Sequence, residues 1–273
     1  MSQIVIEKQD LTWLSWSKLR NSSGTAGSFM KAYSELDGIK TYYKLSNYNT
    51  ADGIIGHECI NEIIVDRLLD ILGIEHLHYQ LVHADILIDN KIVETWLCAS
   101  EDFKKRGESK TTLEAYYQQE RMDEETPLNF CIRCGWSDYI YRMLIVDYLI
   151  LNRDRHGANI EVVRNRTTHT IHLAPLFDHG LSLMCRAQDE TDAMKFDILS
   201  DLRVQSFVGG SSTFKNLLLI PPEQQPVLNP LKKSSRDYIL AGLEHALPEQ
   251  WLLRLWDMIW MRWQEYESIC HKR

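Results

Sequence analysis

The sequence lacks any uninterrupted apolar run approaching the ~18 residues of a membrane-spanning helix, so no membrane association is expected. Its opening, MSQIVIEKQD, carries charges where a secretory leader has its apolar stretch, and a cytoplasmic location is the corresponding expectation. Cysteine is scarce: six residues in 273 are too few for a disulfide scaffold and read as buried, reduced thiols. Positive charge is in deficit. Lys and Arg number 30 against 38 Asp and Glu, a net charge of −8 that argues against a nucleic-acid partner held through phosphates. Seven prolines and 13 glycines do not gather into a linker, and there is no repeat or low-complexity tract. What remains is ordinary globular composition, 44% hydrophobic and 25% charged, in a length that fits one large domain or two lobes.

Hydrophobic patterning divides the chain into two lobes, 1–97 and 98–273. The first reads as strands at 29–34 and 39–45 behind a Ser/Gly-rich turn at 22–28, then a helix at 57–72 stopped by Gly73, then strands at 79–88 and 92–97 around Asp89-Asn90. The second is mainly helical, with helices predicted at 139–151, 238–246 and 250–269. A polar loop at 152–159 leads into a strand pair at 160–164 and 170–173, and 206–230 reads as irregular. The expected class is α+β: a small β-rich lobe with one helix, and a larger helical lobe.

The informative segment is Asn152-Arg153-Asp154-Arg155-His156-Gly157-Ala158-Asn159, an Asp-x4-Asn pattern between an apolar helix and a hairpin. Phosphoryl transfer uses such a pair: the carboxylate accepts the proton of an attacking hydroxyl while the carboxamide oxygen holds Mg2+ on the phosphates. Beyond the hairpin, Phe177-Asp178-His179-Gly180 supplies a second carboxylate in an Asp-x-Gly turn, where a kinase places a metal-binding aspartate. Alone, Asp-x4-Asn is common in loops. What singles it out is order, because a glycine-rich turn, a strand lysine and a helix glutamate precede it. Ser23, Gly24, Thr25, Ala26 and Gly27 can bring backbone N–H groups against phosphate. Lys44 sits on the following strand, within reach of the α- and β-phosphates. Glu58 and Glu62 share a helix face and either could pair with Lys44; Glu62, flanked by Ile63 and Ile64, is preferred.

Residues 152–159, Leu173-Ala174-Pro175-Leu176-Phe177-Asp178, and Asn61-Glu62 through Leu72-Gly73-Ile74 resemble the HipA-type serine/threonine kinases. The resemblance runs from Ser22 to Leu183. It implies a two-lobe protein-kinase-like fold, ATP and Mg2+ as cofactors, Asp154 as catalytic base, Asn159 and Asp178 as metal ligands, and Lys44 on the phosphates. It places His156 beside the nucleotide as a packing residue and makes Ser22 or Ser23 a site of self-phosphorylation. The loop departs from toxin-type members in its less polar middle, Gly24-Thr25-Ala26-Gly27-Ser28. The chain also starts almost directly at the ATP-binding lobe, so a toxin–antitoxin role is not expected. The expected activity is transfer of the γ-phosphoryl group of ATP to a protein or peptide serine or threonine. A small-molecule or lipid kinase and a nucleotide-binding pseudokinase stay open as alternatives, and the oligomeric state is undetermined.

Three other patterns carry less. Cys131 and Cys134 have the spacing of half a zinc site but no second pair at zinc-finger distance. His76, His78 and His83 alternate near a strand without a carboxylate in the same short segment, and read as packing or surface residues. The Trp-rich stretch around Trp251, Trp256, Trp260 and Trp263 reads as a helix packed on the lobe core, with Arg254, Asp257, Arg262 and Glu265 on its polar face.

Overall fold

The computed structural model describes residues 3–17 and 29–273. β1 (Gln3–Asp10) is a strand that the hydrophobic pattern does not announce, because it is largely exposed and shows no clean alternation. It lies parallel on a later strand, with a register break between Val5 and Gln9. β2 (Lys31–Leu36) and β3 (Ile39–Leu45) form a hairpin through Asp37 and Gly38, both at positive φ. The segments flanking residues 18–28 meet where Ser17 and Lys31 exchange backbone hydrogen bonds at 2.9 and 3.0 Å. A short hairpin of β4 (Tyr48–Asn49) and β5 (Gly53–Ile54) leads into α1 (Glu58–Leu72), which Gly73 ends in a left-handed cap.

β6 (Gln80–Ile88) and β7 (Lys91–Glu101) are antiparallel around Asp89 and Asn90, with φ of 50° and 62°, the geometry that suits a two-residue hairpin. β7 runs four residues past the expected Leu97. The sheet order is β1-β6-β7-β3-β2. Alternation gives this sheet two faces. Val82, Ala84, Ile86 and Ile88 turn to a small core with Leu11 and Leu14, while Leu81 and Cys98 turn to α1.

The second part begins with β8 (Glu108–Thr112), α2 (Leu113–Glu120), α3 (Pro127–Arg133) and α4 (Ser137–Leu149). The polar loop then contains a two-residue strand, β9 (Asp154–Arg155), and a 3-10 turn at Gly157–Asn159. β10 (Glu161–Asn165) and β11 (Thr170–Leu173) follow as expected, but β8 joins them, giving the order β11-β10-β8. α5 (Glu190–Lys195) precedes β12 (Gln205–Ser206), which pairs parallel with β9. Residues 206–230 are mostly irregular around α6 (Thr213–Leu217). The single helix expected at 238–246 is two pieces: α7 (Ser235–Leu240), then a 3-10 turn at Leu243–His245, because Gly242 between them is left-handed with φ 78°.

The last helix, α8 (Glu249–Lys272), buries Trp251, Trp256 and Trp263 in a core that is continuous with α1. Arg262 corrects the expected polar face. It is buried, and its guanidinium donates to the Ile198 carbonyl at 2.8 Å, the Tyr148 carbonyl at 3.0 Å and the Ser200 carbonyl. A guanidinium can satisfy several carbonyls at once, which removes the cost that helical periodicity assigns to burying it. All six cysteines are free thiols, and burial pushes Cys131 up to about 12, unlike a redox or metal-binding thiol. No helix among the described residues is long and apolar enough to cross a membrane.

Candidate active site

β3 points Lys44 toward α1, where its ammonium pairs with Glu62 Oε1 at 2.9 Å and with Asp178. Burial works against the charged amine, but the two carboxylates outweigh it and hold Lys44 charged well above the usual range. Glu62 is fully buried and its second oxygen accepts the His179 backbone N–H at 2.9 Å. One glutamate therefore fastens both the lysine and the Asp178 turn. Glu58 does not compete for the lysine: its Oε2 accepts the Asn47 N–H at 3.0 Å, and burial raises its pKa.

The Asp178 turn is clamped to α1 by more than Glu62. Asn61 Nδ2 donates to the carbonyls of Gly180 at 3.0 Å and Ser182 at 3.1 Å. Gly180 suits this close approach, because a Cβ there would lie 3.1 Å from Glu58 Cβ and 3.3 Å from the Glu58 carbonyl oxygen, tighter than an ordinary contact. Asp178 itself has φ 59°, and its N–H donates to the Tyr79 hydroxyl at 3.3 Å.

The Asp-x4-Asn loop is built on α4. Asp147, a buried carboxylate in the apolar second half of that helix, accepts Asn152 Nδ2 at 2.8 Å and the buried Arg155 guanidinium at 2.9 Å. Arg155 also donates to the Phe177 carbonyl at 2.9 Å, and the Arg153 N–H donates to the Leu181 carbonyl at 2.9 Å. These bonds tie the two motif segments together. Within the loop, Asn159 Nδ2 donates to the Asp154 carbonyl at 2.8 Å, which leaves Oδ1 as the atom able to act as a ligand. His156 caps the 3-10 turn through Nδ1, which accepts the Ala158 N–H at 3.2 Å, and its Nε2 lies 3.7 Å from Asp154 Oδ2.

Lys44, Glu62 and Asp178 are thus brought into contact, and Asp154, His156 and Asn159 into one loop joined to them. Ser22, Ser23, Gly24, Thr25, Ala26 and Gly27 lie outside the described residues. Reasoning from sequence named Arg155 and Asn61 within the motif segments but gave them no role, and it missed Asp147. The available signal was the arginine inside the motif together with a carboxylate interrupting the apolar run of α4.

The histidines also differ from expectation. Carboxylates do accompany them, supplied from elsewhere in the chain: His76 Nε2 lies 2.8 Å from Asp66 Oδ1, and His83 Nε2 lies 2.9 Å from Glu94 Oε1. The contacts are made across helix and strand, which a search within one short segment does not see.

No protein-family model and no curated protein matches the chain. Among solved structures it is similar to the proinflammatory kinase CtkA of Helicobacter pylori, over 97% of each chain, with a TM-score of 0.65 at 17% identity. A second likeness is to HipA in the toxin–antitoxin complex of Shewanella oneidensis MR-1 with HipB and operator DNA, with a TM-score of 0.43 at 15% identity, covering 91% of this chain and 59% of that one. The first likeness, with the β-rich lobe, the helical lobe and the motif segments between them, shows that this chain has a kinase-like fold, the fold that the resemblance of residues 152–159 and 173–178 led us to expect.

Proposed function

We propose that the chain is a kinase that uses ATP and Mg2+ to phosphorylate a protein serine or threonine hydroxyl, with Ser22 or Ser23 as an intramolecular target. The observation that carries the reading is the Lys44–Glu62–Asp178 contact, tied through Arg155 and the Arg153 backbone to the loop that holds Asp154 and Asn159. In it Asp154 accepts the proton of the attacking hydroxyl, and Lys44, kept charged by two carboxylates, holds the phosphates. The donor set suits magnesium: Asn159 Oδ1 and the Asp178 carboxylate are hard oxygen ligands, and one or two protein oxygens are what this ion takes beside phosphates and water. Bound there, Mg2+ would neutralise the charge developing on the transferred phosphoryl group. The serine or threonine assignment rests on the HipA-type character of residues 152–159. A cytoplasmic location and a lobe division at 97/98 belong to the same reading.

The test is incubation of the full chain with γ-labelled ATP and Mg2+, followed by intact-mass analysis, with Asp154→Asn in parallel. Label on the chain, lost in the variant, supports the protein kinase. ATP turnover without label on the chain or on peptide substrates transfers the reading to a small-molecule kinase, and neither turnover nor label overturns it.

A further inference from the structure

α1 carries a carboxylate every fourth residue: Glu58, Glu62, Asp66 and Asp70. The first two serve the Lys44 side of the helix. The last two face the segment between α1 and β6, and there they meet two imidazoles. Asp66 Oδ1 lies 2.8 Å from His76 Nε2 and 3.1 Å from His78 Nδ1, and Asp70 Oδ1 lies 3.8 Å from His76 Nε2. One ligand atom from each of the four residues falls within 4.8 Å of all the others.

Groups outside the cluster orient three of the four. His76 Nδ1 is 2.7 Å from the Ile74 carbonyl, Asp66 Oδ2 accepts the Tyr79 N–H at 2.8 Å, and Asp70 Oδ2 accepts the Tyr238 hydroxyl at 2.9 Å. Such outer contacts are what fix the tautomer and direction of metal-binding side chains. The first has a definite consequence. A carbonyl only accepts, so Nδ1 carries the hydrogen, and the Nε2 of a neutral ring then presents a lone pair to a carboxylate oxygen that also only accepts. Two lone pairs facing at 2.8 Å require positive charge between or beside them.

We propose that Asp66, Asp70, His76 and His78 form a binding site for one divalent transition-metal ion, with Zn2+ the best match, distinct from the Mg2+ position at Asn159 and Asp178. Two imidazole nitrogens with two carboxylates are donors that zinc accepts and that magnesium and calcium do not favour. The backbone beneath the site is held, since the Leu77 N–H donates to the Leu176 carbonyl at 2.8 Å and the Leu176 N–H to the Glu75 carbonyl at 3.3 Å. Access is open on the imidazole side: the His78 side chain is 61% exposed, and His76 and His78 form one wall of a cavity of about 390 Å3 whose other walls include Thr41, Ser100 and Asp102. An ion here would clamp the C-terminal half of α1 to the segment that leads into β6. Tyr79, which contacts Asp66 through its N–H and Asp178 through its hydroxyl, runs from this site to the other.

The experiment uses the full chain, stripped with a chelator and held in millimolar Mg2+, titrated with Zn2+ against a chromophoric competitor, with melting temperature as the second readout. One equivalent of Zn2+ bound, with a melting temperature raised by several degrees, is expected. His78→Ala and Asp70→Asn, both at accessible positions, should each weaken Zn2+ at least tenfold and remove the thermal shift while the metal-free chains melt like the metal-free parent. Asp178→Asn should bind Zn2+ as the parent does. Three results overturn the site: no uptake, with a melting temperature indifferent to Zn2+, which leaves a proton holding the cluster together; uptake that survives both substitutions; or uptake lost in Asp178→Asn.

Discussion

At Asp178 the backbone takes a left-handed φ of 59°, which an aspartate adopts only at some cost, and the surroundings hold it there through Lys44, the Tyr79 hydroxyl and Glu62 on the next N–H. The roles of the charged residues separate by what each touches. On the proposed function Asp154→Asn removes the proton acceptor and leaves the loop's backbone bonds in place, so phosphoryl transfer should fall by on the order of 10²-fold or more with ATP affinity nearly unchanged, measured as turnover and by calorimetric titration. Lys44→Met and Glu62→Gln should be strongly non-additive in a double-mutant cycle on turnover, because Glu62 acts by placing Lys44. Glu58→Gln should show no such coupling, since its carboxylate is engaged by the Asn47 N–H. Coupling of Lys44 to Glu58 in place of Glu62 would contradict the observed pairing.

Elements matter here through two clamps. α1 is buried around its circumference although it carries Glu58, Asn61, Glu62, Asp66 and Arg67, and like charges four apart on an isolated helix are unfavourable. Partners from β3, the Asp178 turn and the segment before β6 compensate them. Gly180→Ala would press a methyl against the α1 backbone, and the helix must give by a few tenths of an ångström. A stability loss of about 1–3 kcal/mol is expected, together with a fall in turnover because Glu62 moves off Lys44; thermal melting and steady-state kinetics check both. The second clamp is Arg155. Arg155→Met strands Asp147 without its cation inside α4, and a loss of about 3–5 kcal/mol is expected in urea unfolding. Arg155→Lys should not rescue it, since an ammonium lacks the planar fork that serves Asp147 and the Phe177 carbonyl together.

Over the whole molecule, the α1 end of the first lobe is joined to α8 by His57, whose ring packs edge-on to Trp251 with centroids 4.9 Å apart. Burial, with no partner for Nε2 among the described residues, drops this imidazole from 6.5 to about 4. The unfolded chain therefore takes up a proton at a pH where the folded chain refuses it. The contribution is present above about pH 6.5 and is lost as pH falls toward about 4, costing about 2 kcal/mol by pH 5 at ~1.4 kcal/mol per unit. His57→Phe keeps a ring against Trp251 and removes the titration. Its melting temperature should fall less than the parent's between pH 7.5 and pH 5, and an equal fall in both would show that His57 contributes nothing to the acid response.

Local chemistry alone determined the hairpins at Asp37-Gly38 and Asp89-Asn90, the helix that ends at Gly73, the α4 helix and the motif order from Lys44 to Asp178, because turn preference, hydrophobic period and motif spacing are properties of neighbouring residues. The choice of Glu62 over Glu58 was readable for the same reason, as depth in an apolar helix face. Tertiary structure decided the rest. β1 is a strand only because the β6 edge accepts it, and β8 only because β10 does. Arg155 and Arg262 are buried because carbonyls and a carboxylate from distant segments converge on them, which no local period encodes. The Asp66, Asp70, His76 and His78 cluster was hidden in the same way: its two halves lie on a helix and on the segment after Gly73, and the reversal of the chain there brings carboxylate and imidazole face to face.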